Sequence, residues 1–168
     1  MDIAPLTHSS LAIQIHATAA VLAIVLGTVL MVMEKGTGSH RALGRFWVGL
    51  MAVTALSSFA ITEVRMFGPY SWIHGLSLLT LVFIARGVRA IRRGRVAEHR
   101  STMISLYVFA LLLTGGFTLL PGRRMHAVLF ADGGTSAGIA GAIALAFIGV
   151  LLAMRGARAQ SLARRRRG

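Results

Sequence analysis

The chain contains no cysteine, and its five acidic residues stand against eighteen lysines and arginines. Without cysteine there is no disulfide, thiolate metal site, iron–sulfur cluster or thioether-attached haem, so any metal chemistry has to use His, Met or oxygen ligands. The shortage of carboxylates excludes more. Glu63, Arg65 and Asp132 fall outside the apolar stretches, so no chain of buried acids exists for a proton pump, which argues against an ion-coupled transporter. A nucleophilic triad has no credible third member to orient its base, and Glu34 to Ser39 lacks the Walker pattern, so its Gly-Thr-Gly reads as a turn. No stretch between the apolar runs is long enough to fold into a soluble catalytic domain.

What the chain has in excess is apolar sequence: 55% of its 168 residues are hydrophobic and its mean hydropathy is +0.72. A soluble domain is only about half apolar and cannot hide that much. The apolar residues are concentrated in uncharged runs at 3–33, 46–62, 66–85, 101–122 and 133–154. Each is close to the ~20 residues that carry a helix across a ~30 Å hydrocarbon layer. Lipid satisfies no backbone hydrogen bond, and barrel strands would alternate in polarity, so the expected fold is all-α. The reading is a polytopic membrane bundle of five transmembrane helices at about 9–33, 40–62, 71–90, 98–120 and 136–154, forming one domain over 1–155 with a basic cytoplasmic tail at 156–168.

A formal charge of +13 would suggest nucleic acid in a soluble protein; here its distribution reports topology. With the N-terminus outside, fifteen of the eighteen basic residues fall on the cytoplasmic side, leaving Arg65, Arg123 and Arg124 outside. The positive-inside rule therefore gives an N-out, C-in membrane protein. Anionic lipid is the expected partner of the tail Arg164 to Arg167, and nucleic acid is not. Asp2 precedes the first run and no basic residue does, so that run lacks the charged start of a secretory signal and is expected to stay as the first helix.

Along the chain, Ser39 is the expected N-cap of the second helix and Trp47 marks its inner end. Tyr70 and Trp72 form an aromatic belt where the third helix enters the membrane. Pro121-Gly122 stops the fourth helix, and Met125 to Phe130 suggests a short interfacial stretch. Gly134, Gly138 and Gly141 suit close packing of the fifth helix. The first and third helices carry His16 and His74, followed after 24 and 25 residues by His40-Arg41 and His99-Arg100, which open the second and fourth. Two helix hairpins built alike, a tandem repeat, would explain that spacing.

An ionisable side chain inside a span is costly, and this makes the histidines candidates for function. His16 and His74 share a layer roughly 5–10 Å below the outer boundary at 1.5 Å per residue. His40 and His99 lie in first turns near the inner boundary, where the helix dipole disfavours an imidazolium. Two neutral imidazoles at one depth on different helices can supply both axial positions of a b-type haem. The candidate ligands to haem iron are therefore His16 with His74 and His40 with His99, which makes up to two haems. The plain alternative for His16 is a hydrogen bond to a neighbouring helix without any cofactor; for His74, it is an interfacial role. His8 and His126 are expected to be merely solvated, and the methionines to be packing.

The stretch EKGTGSHRALGRFWVGLM around His40, AEHRSTMISLY around His99 and a histidine in each preceding helix resemble the family of predicted bacterial membrane proteins called domain of unknown function 2306. The resemblance covers about 10–115, and Thr102 departs from it where an aromatic residue would precede Met103. It implies no established activity. In layout the histidines are also similar to the cytochrome b561 class, in which histidines from alternate helices hold two haems, one near each face. That likeness implies electron transfer between the two faces, from a quinol or small reductant to an acceptor. Two other readings stand beside it: a non-catalytic assembly or interaction factor for a respiratory complex, and a small transporter or lipid-handling protein.

Overall fold

A computed structural model describes residues 3–61 and 72–130, with 140, 141 and 144. Its described elements are all helical: α1 (Ala4–Thr7), α2 (Leu11–Val32), α3 (Gly38–Ser58), α4 (Trp72–Arg92), α5 (Val96–Phe117) and α6 (Arg124–Leu129). Residues 140, 141 and 144 are also helical. Among the described residues α2, α4 and α5 are long and apolar enough to cross a bilayer. α3 has 21 residues, a length of ~31 Å. Arg41 and Arg45 near its start and Thr54, Ser57 and Ser58 near its end lower its hydropathy below that of the other three. The expected fifth helix and the basic tail lie outside the described residues apart from those three positions, where a Cβ on Gly141 would stand 3.4 Å from Leu119 Cδ1.

The chain divides into two compact units, Leu6–Ile84 and the residues from 85 onward together with 3–5. In the first unit, α2 and α3 form an antiparallel hairpin. The contacts 23 to 47 and 16 to 54 advance in opposite directions along the two helices. α2 buries the small residues Ala19, Ala23 and Gly27 at four-residue steps, against the buried Trp47, Met51 and Ala55 of α3. Such small stripes let helices approach closely enough for packing to hold them together. Trp47 is not an interfacial marker. It is 3% exposed, and its indole N–H donates to the Ala23 carbonyl at 2.9 Å. Gly27, one turn on, carries no side chain to cover that carbonyl. The large apolar residues Leu22, Val25 and Val29 face outward. Only 22% of the most apolar stretch of α2 is buried by protein, a surface suited to lipid.

The turn after α2 is closed by Lys35, whose ammonium donates to the Met31 and Met33 carbonyls at 2.7 and 2.6 Å. Such bonds satisfy carbonyls that the helix end leaves open. Gly36, at φ +83°, takes the left-handed conformation that reverses the chain. Thr37, rather than the expected Ser39, is the N-cap of α3, and its hydroxyl accepts from the His40 N–H at 3.1 Å.

In the second unit, the end of α4 and the start of α5 meet closely at Gly87. A Cβ there would collide with the Met103 methyl and stand 3.2 Å from Thr102 Cγ2. Thr102, the position noted in the sequence as departing from the resemblance, is buried beside that contact. Glu98 crosses the turn to the guanidiniums of Arg86 at 3.0 Å and Arg95 at 2.9 Å. The middle of α5 is a π-helix, Leu106–Leu113, with Leu106, Tyr107, Val108, Leu111 and Leu112 buried. Leu106–Leu113 contains neither Gly nor Pro, so no residue there signals this widened backbone. Thr114 donates its hydroxyl to the Phe109 carbonyl at 3.1 Å, where the wide turn ends. Beyond α5, α6 supplies the expected short stretch: Arg124 donates to the Pro5 carbonyl at 3.1 Å, and Arg123 lies 4.3 Å above the Phe117 ring.

Candidate functional site

The last two turns of α3 carry Thr54, Ser57, Ser58 and, just beyond them, Phe59. Hydroxyl groups in an apolar bundle need partners, and those of Thr54 and Ser57 donate to the Leu50 and Val53 carbonyls at 2.9 and 2.7 Å. This leaves the Ser57 oxygen able to accept. His16 of α2 places Nδ1 2.8 Å from the Thr54 carbonyl and 3.3 Å from Ser57 Oγ. A carbonyl only accepts, so Nδ1 carries a proton, and in the neutral ring the lone pair falls on Nε2. The hydrogen bond offered as the plain explanation of His16 is thus present, and it also fixes the tautomer.

On the other side of the same two turns is α4. Ser58 and Ser77 share a hydrogen bond of 2.5 Å between hydroxyls. His74, one turn before Ser77, is 6% exposed, and its ring centroid lies 5.9 Å from that of Phe59. His16 and His74 therefore adjoin the same stretch of α3, residues 54–59, which spans ~8 Å along a helix axis. The shared layer expected of this pair appears in the first unit.

The inner candidates belong to different units. His40 is partly buried in the first turn of α3, where its main-chain N–H is capped by Thr37. His99, in the first turn of α5, is partly buried too, and its Nδ1 lies 2.9 Å from the Gly87 carbonyl. The same logic puts a proton on Nδ1. His16 and His99 are equivalent in bonding but not in the supposed repeat, where His16 matches His74.

Sequence reasoning misplaced one histidine. His126 is 9% exposed rather than solvated; its ring lies 5.3 Å from Phe130, and its buried Nε2 has no hydrogen-bond partner among the described residues. The apolar neighbours Met125, Val128 and Phe130 were the available signal. His8 is exposed, as expected.

Among the described residues, no three His, Cys, Asp or Glu side chains group as a multidentate metal site requires. A bis-imidazole haem site needs only two. Ligating histidines commonly donate the second ring N–H to a backbone carbonyl, which orients the ring and raises its basicity. The donor chemistry of His16 and His99 fits that role.

A family model described as "Predicted membrane protein (DUF2306)" matches residues 13–153. No curated protein and no solved structure matches the chain.

Proposed function

The chain belongs to this DUF2306 family of predicted membrane proteins, and we propose, from its histidines rather than from the family, that it is a b-haem electron-transfer protein of the bacterial inner membrane. Five spans, in two similar hairpins and a final helix, would run N-out to C-in. His16 with His74 would hold one haem, and His40 and His99 would be further ligands, with a quinol or small reductant as donor. The observation carrying this reading is the tethering of two candidate imidazoles through Nδ1 to main-chain carbonyls, at 2.8 and 2.9 Å. In a neutral ring so tethered, Nε2 would offer its lone pair to iron. Haem would supply the one-electron redox step. The chain's part is to hold each ring in one orientation and keep its surroundings dry.

The test is a dithionite-reduced minus oxidised absorbance spectrum of protein purified from haem-replete cells, beside His16→Ala and His99→Ala. Sharp b-type bands, reduced in each variant, are the expected result. Colourless wild-type protein would remove the reading.

The same bonds favour a second reading, because a histidine that ties its helix to a neighbour's carbonyl stabilises a bundle with no cofactor at all. A respiratory assembly factor would then co-purify with oxidase subunits even with alanine at all four histidines.

A further inference from the structure

We propose that the turn between α4 and α5 is a binding site for the phosphate group of anionic phospholipids. Residues 86–100 contain six arginines and one acid, Glu98, leaving five positive charges in fifteen residues. Glu98 already engages Arg86 and Arg95. Arg89, Arg92, Arg93 and Arg100 are exposed and have no carboxylate partner among the described residues.

The turn holds these groups close together. Gly94, at φ +71°, lets the Arg95 N–H reach back to the Ala90 carbonyl at 2.9 Å, ending α4 abruptly and starting α5 within a few residues. The ion pairs of Glu98 and the His99 bond to Gly87 fasten the two helix ends, so the charge is displayed on a fixed frame.

Depth selects the ligand. Both helices are candidate membrane spans, and the arginines occupy the ends that meet at the turn, Arg89 and Arg92 in the last turn of α4. That is the level of the lipid phosphates. All six basic residues here are arginine, as are seventeen of the eighteen in the chain. A guanidinium presents a planar fork that pairs two N–H groups with phosphate oxygens, which an ammonium cannot do. Each basic residue near an anionic surface adds about 1 kcal/mol, roughly fivefold in affinity, so three together reach the order of a hundredfold before screening.

The site does not depend on haem, and its test is independent of the spectrum. The full-length protein in detergent is titrated with phosphatidylglycerol or phosphatidylcholine, and bound lipid is counted by native mass spectrometry. The variants are Arg89→Gln/Arg92→Gln/Arg93→Gln, the same positions changed to lysine, and a tail control with glutamine at Arg164 to Arg167. Wild type is expected to retain phosphatidylglycerol at least tenfold better than phosphatidylcholine. The glutamine triple loses at least tenfold whether or not the tail is also substituted, and the lysine triple less. Helicity by circular dichroism verifies folding, and the lysine triple keeps the comparison informative if the glutamine triple unfolds. Equal retention of both lipids, undiminished binding in the glutamine triple, or complete displacement by millimolar inorganic phosphate would overturn the proposal.

Discussion

The two hairpins of this protein are held by different means. α2 and α3 meet along a stripe of small residues and are joined by one buried indole bond, Trp47 to Ala23. α4 and α5 meet at one glycine, Gly87, and are joined beside it by the ion pairs of Glu98. The difference follows from position. Within the apolar layer close packing and satisfied N–H groups hold helices together, whereas at the boundary charged side chains can reach water. In both hairpins a histidine adds a bond to the other helix's main chain, from α2 in one case and from α5 in the other.

Replacing Trp47 should break the first hairpin most severely. Trp47→Ala deletes a side chain 3% exposed and is expected to destabilise by about 3–5 kcal/mol, read from denaturant unfolding in detergent. Trp47→Phe keeps much of the packing and should cost about 1 kcal/mol through the lost hydrogen bond. At the second hairpin, Gly87→Ala forces the flexible Met103 tip aside and presses on Thr102, for an expected cost of about 1–3 kcal/mol. Met103→Ala in the same chain should recover part of that loss, which a double-mutant cycle measures. His126→Phe removes a buried nitrogen that has no partner among the described residues and should leave stability unchanged or raise it by up to about 1 kcal/mol. Glu98→Gln should have the smallest effect, about 0.5 kcal/mol and fading with salt, because its arginine partners are 60% and 50% exposed.

Hydropathy alone was enough to locate the first four helices to within a few residues, because uninterrupted apolar runs have one way to satisfy their backbone in lipid. It could not reveal how they pack. Trp47 read as a boundary residue because interfacial tryptophans are common, and only the facing stripe of Ala19, Ala23 and Gly27 explains its burial. The N-cap moved from Ser39 to Thr37 because either hydroxyl suits the motif and the left-handed turn at Gly36 decides between them. The π-helix has no periodicity signal in a uniformly apolar run. For the candidate site, the cost of burial singled out His16 and its layer with His74. The carbonyl partners Thr54 and Gly87 were invisible, since any residue's main chain can serve. His126 was passed over because its loop looked external.

Haem stoichiometry, measured on wild-type protein and on the His16→Ala, His99→Ala and doubly substituted forms, bears most directly on the role of the tethered imidazoles. Two haems per chain are expected to fall to one in each single variant and to none in the double. Haem-free wild type from haem-replete membranes, or a ratio unchanged by either substitution, would contradict that role and leave both bonds as helix fastenings only.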